Sequence, residues 1–148
     1  MMQLTRRAGI VLGWGWCAAL LLGPAWPETA SRTPSPPGAR VYFQSPTDGS
    51  HVSQRFTVRA GLKDMGVAPA GVVKAATGHH HLLVDTDMVS FDQPIPSDYN
   101  HIHLGNGQTE VVLTLPPGRH TLQLLLGDHD HVAHEPPVMS EKITIYVR

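Results

Sequence analysis

The chain has 148 residues, 11 basic against 12 acidic side chains, ten histidines and a single cysteine. No basic stripe or patch is present, which argues against nucleic acid and anionic membrane surfaces as partners. One cysteine excludes a disulfide framework within the chain.

The N-terminus is ordered as a secretory signal. Arg6 and Arg7 precede an apolar run from Ala8 to Gly23, and small residues at Ala25 and Ala30 offer cleavage points. We assign residues 1–25 as the signal peptide, with cleavage as late as residue 30 an alternative. The apolar run is short for a membrane span, which needs about 20 residues. A retained N-terminal anchor is the competing reading, and Thr5-Arg6-Arg7 carries a faint twin-arginine character. The expected product is a periplasmic or secreted protein without an integral membrane span. Cys17 leaves with the signal, so no thiolate ligand or nucleophile remains. Loss of Arg6 and Arg7 leaves nine basic residues against 12 acidic, a net charge of −3. Residues 26–39 are rich in Pro and Ser and read as a solvated linker.

Residues 40–148 have the size of one domain with its own core. Period-2 alternation dominates them. Phe56, Val58, Ala60 and Leu62 alternate with Arg55, Thr57 and Arg59, and Val111, Leu113 and Leu115 with Glu110, Val112 and Thr114. Leu122, Leu124 and Leu126 follow the same pattern, then Ile143, Ile145 and Val147. Shorter strands are expected at Val41–Phe43 and His80–Asp85. Thr86–Tyr99 carries the chain back across the fold and has room for a short edge strand. Turn chemistry at Pro46-Thr47-Asp48-Gly49, Gly105-Asn106-Gly107 and Pro116-Pro117-Gly118 separates the strands. The pattern predicts an all-β, immunoglobulin-like β-sandwich of six to seven antiparallel strands.

Eight histidines fall in three groups: His79-His80-His81, His101-Ile102-His103, and His129-Asp130-His131 with His134. In the predicted topology all three groups lie at one end of the sandwich, in or beside its loops. His51 and His120 lie at the other. Each group contains a His-x-His pair, and alternate residues of an extended chain point the same way. Imidazole is the commonest metal ligand and suits copper, zinc, iron and nickel. The predicted ligands are drawn from His79, His81, His101, His103, His129, His131 and His134. With Leu82 and Val84 facing the core, His80 is expected to face it too, and His79 and His81 to point outward. Asp85, Asp87, Asp128 and Asp130 stand near the pairs as ring-orienting acceptors or direct ligands. Nitrogen-rich chemistry in an exported protein favours copper or zinc, and Met65 or Met139 offers a thioether for Cu(I). A histidine cluster acting as a pH sensor is the other chemical reading.

Several segments also resemble a known family. They are Gly66–Gly71, Thr77–Asp85, Pro94-Ile95-Pro96, His101–Gly105, Gly107–Glu110 and Pro116–Leu124. Gly127-Asp128, His131, His134, Pro136-Pro137-Val138 and Ser140 complete the set. Together they are similar to a bacterial family known as the domain of unknown function number 4399, over about Val41 to Val147. The resemblance implies a secreted single-domain protein and brings no activity with it. Its motif includes His120, so not every histidine in it need be a ligand.

The sequence therefore points to a periplasmic metal-binding protein, a copper or zinc carrier or buffer, whose partner is the transition-metal ion. A metal-dependent enzyme is the second reading, similar to copper,zinc superoxide dismutase only in architecture and in its His-x-His ligands. A ligand-binding or structural sandwich without metal is the third. Gly-x-Ser-x-Gly is absent, so the usual acyl-transfer nucleophile is not in view.

Overall fold

The alternating segments form strands, and the computed structural model describes residues 32–88 and 90–148. The expected signal segment, with its cleavage region up to residue 30, lies outside the described residues. Nine strands follow in order: β1 (Arg40–Ser45), β2 (His51–Val52), β3 (Arg55–Lys63), β4 (Gly66–Val67), β5 (Thr77–Val84), β6 (His101–Leu104), β7 (Glu110–Thr114), β8 (Gly118–Gly127) and β9 (Ile143–Val147). The described residues contain no helix, and so none long and apolar enough to cross a membrane.

The strands make two sheets. The smaller runs β1-β3-β7; the larger runs β2-β9-β8-β5-β4, with β6 also paired to β5. This is an immunoglobulin-like β-sandwich. The long strands pair antiparallel, while the two-residue strands β2 and β4 add parallel contacts at the margins of the larger sheet. Val41, Val58, Ala60 and Leu113 from the small sheet meet Leu82, Val84, Leu122, Leu124 and Ile145 from the large one. These are the inward members of each alternation, so burial of one face fixes the register.

Three expectations change. His101-Ile102-His103 is not a loop; it forms β6, with His103 opposite His81 and His101 opposite Leu83. Residues 86–99, where an edge strand had room to form, contain no strand among the described residues. Their Ile95 joins Leu83, Leu125 and Ala133 in a second apolar cluster, with Met88 and Phe91 packed against it. That cluster lies on the outer face of the large sheet, since Leu83 and Leu125 alternate with inward Leu82 and Leu124. The central sheet is thus covered on both sides, and β5 is buried along its whole length.

The third change concerns the linker. Its described part, residues 32–39, is not a free tether. Ser35 N donates to Glu135 O at 2.9 Å, and Glu135 N to Thr33 O at 2.9 Å. An extended segment has backbone groups that need partners, and here it finds them along the β8–β9 connection.

Candidate metal centre

His79 and His81 point to the outer face of β5, as the alternation requires, yet both are 0% exposed. The reason is the extra layer: Met88, Phe91 and Ile95 on one side, and the turn from Asp128 to Ala133 on the other, close over that face. Within it, one ring nitrogen each from His79, His81 and His103 lie within 4.8 Å of one another. His79 Nε2 and His81 Nε2 are 3.0 Å apart. His131 descends from the β8–β9 connection as the fourth ring, its centre 4.8 Å from that of His103, 4.9 Å from His79 and 6.1 Å from His81. The other three separations are 4.8 Å between His79 and His81 and 5.0 Å from each of them to His103.

Two glycines make room for the rings. A Cβ on Gly127, the residue of β8 opposite His79, would sit 3.0 Å from His81 Nε2 and 3.3 Å from Ile95 Cδ1. A Cβ on Gly105 would fall inside the van der Waals envelope of the His103 ring. Gly105→Ala is therefore expected to swing that ring aside at little cost to folding, because only the end of a rotatable side chain has to move. Zinc affinity should fall by about tenfold or more while the apo melting temperature stays nearly constant. Calorimetric titration beside a thermal melt checks both. Unchanged affinity would show that His103 need not stay where it is.

Electrostatics keep the His79, His81 and His103 rings neutral. Burial, reinforced by the His131 and His103 rings, pushes the His79 imidazole down to about 4. Burial, followed by the His79 and His103 rings, pushes His81 to about 2. Burial and then His131 lower His103 as well. Neutral imidazoles keep their lone pairs for a metal. His79 Nδ1, His81 Nδ1 and His103 Nε2 are buried without a hydrogen-bond partner among the described residues. A buried polar atom left unpaired costs about 1–3 kcal/mol. The nitrogens of His79 and His81 that face each other are the Nε2 pair, 3.0 Å apart, and for neutral imidazoles turned toward one another a cation is a partner that fits.

The remaining predicted ligands lie elsewhere. His101 shares the face of His103, but its Nδ1 donates to Asp98 Oδ1 at 2.8 Å. The His129 ring is partly exposed, with Nε2 3.1 Å from Asp130 Oδ2. His134 is fully buried on the opposite side of β5, against Gly78, whose side alternates with that of His79. Its Nδ1 faces Leu126 O at 3.4 Å. His80 faces the sandwich core as expected and donates from Nδ1 to Gln108 O at 3.2 Å.

None of the four aspartates binds in the cluster. Asp85 Oδ2 receives His120 Nδ1 at 2.6 Å, and the same His120 donates from Nε2 toward Pro116 O at 2.9 Å. Asp87 pairs with Lys142, and Asp130 with His129. Asp128 is the informative one. Its Oδ1 accepts from Asp130 N at 3.0 Å and Val132 N at 2.9 Å, folding the turn that carries His131. Burial alone would raise its carboxyl, but bonds from Thr33, Val132 and Asp130 outweigh that and hold it below the usual carboxylate range. Met65 packs against the main core, and Met139 is 37% exposed.

Residues 58–148 match the family described as "Domain of unknown function (DUF4399)". No curated protein matches the sequence. Among solved structures, the chain is similar to the endo-beta-1,4-mannanase from Thermotoga petrophila, at 17% identity and TM-score 0.41, covering 74% of this chain and 20% of that one. It is also similar to the Clostridium thermocellum CbhA fibronectin(III)-like modules, at 13% identity and TM-score 0.39, covering 73% of this chain and 95% of that one. This chain therefore spans about a fifth of the mannanase. At such scores neither likeness bears on the histidines.

Proposed function

This chain belongs to the DUF4399 family, whose name assigns no activity, so we propose a function from its own side chains: an exported carrier or buffer for copper or zinc. Its site is His79, His81, His103 and His131. The basic, apolar and small residues in order at the N-terminus support export.

The observation that carries the reading is the shape of the four-ring set. With metal–nitrogen distances of about 2.0–2.1 Å, and about 1.2 Å more to each ring centre, four imidazoles around a tetrahedral ion have centres roughly 5.2 Å apart. A square-planar ion would give about 4.5 Å between neighbours and two separations of about 6.4 Å. Five of the six separations lie between 4.8 and 5.0 Å and one is 6.1 Å. The set is closer to a tetrahedron. Zn(II) is content with that geometry, and Cu(I) shares its filled d shell. Cu(II) and Ni(II) favour tetragonal sites, so the usual advantage of Cu(II) over Zn(II) should shrink here. Ring nitrogens of His79, His81 and His103 lie within 4.8 Å of one another; with His131 drawn in as the fourth the coordination sphere would be filled, whereas a catalytic zinc site keeps one position open. That favours binding and transfer over catalysis.

Tag-free protein should take up one Zn(II) per chain, seen by native mass spectrometry, and melt higher in its presence. Ligand at about 100 times its Kd adds roughly 2.7 kcal/mol of stability. Magnesium and calcium, which prefer oxygen donors, should do neither. Equal response to calcium, or no bound zinc, would overturn the reading.

A further inference from the structure

His131 has a positive φ of 67°, a backbone conformation that is costly for a non-glycine residue unless its surroundings enforce it. What enforces it is a chain of contacts ending far away in sequence. His131 N donates to Asp128 O at 3.0 Å, and Asp128 N to Val132 O at 2.8 Å. The Asp128 carboxylate closes the same turn through Oδ1, as described above. Its other oxygen, Oδ2, accepts from Thr33 Oγ1 at 2.6 Å. Arg32 adds a second clamp: its Nε donates to Ala133 O at 2.9 Å, and its guanidinium also reaches His134 O and the Glu135 carboxylate. The same guanidinium lies over the Phe91 ring, 5.4 Å from its centre, and so touches the other covering segment too. That segment is tied back to the ligand itself, because Ile95 N donates to His131 O at 2.8 Å.

We propose that Arg32–Ser35 is a strap that positions His131, and that metal occupancy and strap attachment stabilise one another. The inference rests on the four-imidazole reading above. Thr33 is a positioning residue that acts through Asp128, and Arg32 holds the two covering segments together. An ion in the cluster pulls His131 inward and tightens the turn that the strap grips. Equally, a detached strap frees the turn, lets His131 leave its strained backbone conformation and opens the site. Coupling between two binding events is reciprocal, so the effect must be readable from either side.

The test uses the tag-free chain, zinc as the probe and a competing chelator to read its release. Thr33→Val keeps the shape of the side chain and removes the hydroxyl. It should release zinc about tenfold faster or more, the usual scale for losing a group that backs a ligand. Thr33→Ser should stay within about twofold of the parent, because the hydroxyl is restored. In the unaltered chain, zinc should slow amide hydrogen exchange at Ser35 and Glu135, whose N–H groups join strap and turn. In His131→Ala this response should be lost. If Thr33→Val fails to fold, the exchange measurement on the unaltered chain decides by itself. Zinc release at the parental rate from Thr33→Val, or exchange at Ser35 and Glu135 indifferent to bound zinc, overturns the strap alone. If the unaltered chain takes up no zinc, the metal site falls and the strap's role falls with it.

Discussion

His81→Ala should weaken zinc binding by at least about 100-fold, while His120→Ala should leave it within about twofold. The first figure follows because loss of a ligand exceeds loss of a group that merely backs one, for which about 10–100-fold is typical. His81 is in close reach of two of the other rings, its Nε2 3.0 Å from the His79 nitrogen and its ring stacked 5.0 Å from His103. His120 stands near the far end of the large sheet, beside Asp85. Six residues of extended strand separate Asp85 from His79, roughly 20 Å at about 3.3 Å per residue. The two variants should also part company in stability. His120 makes a charge-assisted bond to Asp85 and a second to Pro116 O, so its removal should cost the apo protein about 1–3 kcal/mol. His81→Ala removes packing but also removes a buried nitrogen that has no partner, so the two effects partly offset. His51→Ala is the neutral control, since that ring only stacks on Tyr146 with centres 5.2 Å apart. His101→Ala, His129→Ala and His134→Ala should behave more like His120 than like His81 in the zinc titration. A loss of affinity in His120→Ala equal to that in His81→Ala would contradict the assignment. So would full affinity in His81→Ala.

The sandwich was legible because its strands bury one face, and a one-sided strand writes itself as alternation. Leu122, Leu124 and Leu126, or Ile143, Ile145 and Val147, leave little choice of register. The same logic misled at His79 and His81. Alternation tells which residues share a face, not whether a second layer covers that face. The cover comes from residues 90–98 and 128–133, which lack periodicity, so nothing local announces that they fold back on β5. Four residues are too few for β6 to show a pattern, and the two histidines in it read as a loop. The pairing of His103 with His81 is a long-range fact, set by the hydrogen-bonding edge of β5. The spacing did point to convergence of the three groups, since each His-x-His pair was available to aim two rings at one point. It did not separate members from neighbours. His101 and His129 each have an aspartate close by in sequence, and that signal was present in Asp98 and Asp130. Thr33 was missed because a Pro/Ser-rich stretch resembles a linker whether or not something across the fold accepts its hydroxyl.

Acid should destabilise the metal-free protein well before its carboxylates titrate. The relevant groups are His79 and His81, held at about 4 and about 2 by burial, reinforced by His131 and His103 for the first and by His79 and His103 for the second. In the unfolded chain both imidazoles return to about 6.5. Between that value and the folded one, the unfolded state binds more protons, so stability rises with pH across the window. The contribution is fully present above about pH 6.5 and is lost progressively as the pH falls toward 4, with His81 continuing further. Each group changes stability by about 1.4 kcal/mol per pH unit inside its window. From pH 7 to pH 5 the two together should remove about 4 kcal/mol, a large share of the 5–15 kcal/mol typical of a folded domain. Burial lowers His80 and His103 as well, which adds to the loss. His120 works the other way: burial opposes its charge, but Asp85 and the Pro116 carbonyl outweigh that and raise it, so it favours the fold at low pH and loses that effect as pH rises through its folded value. It is one group against four. Urea melts of apo protein at pH 7, 6 and 5 should therefore show a falling midpoint, and in His81→Ala the fall should be shallower because one of the displaced titrations is gone. Bound zinc should raise the midpoint without flattening the curve, since a coordinated nitrogen cannot accept the proton and the folded state still binds fewer protons than the unfolded one. A midpoint that stays level from pH 7 to pH 5, in protein shown to be metal-free, would mean the rings are free to protonate in the folded state and so are not enclosed beneath the two covering segments.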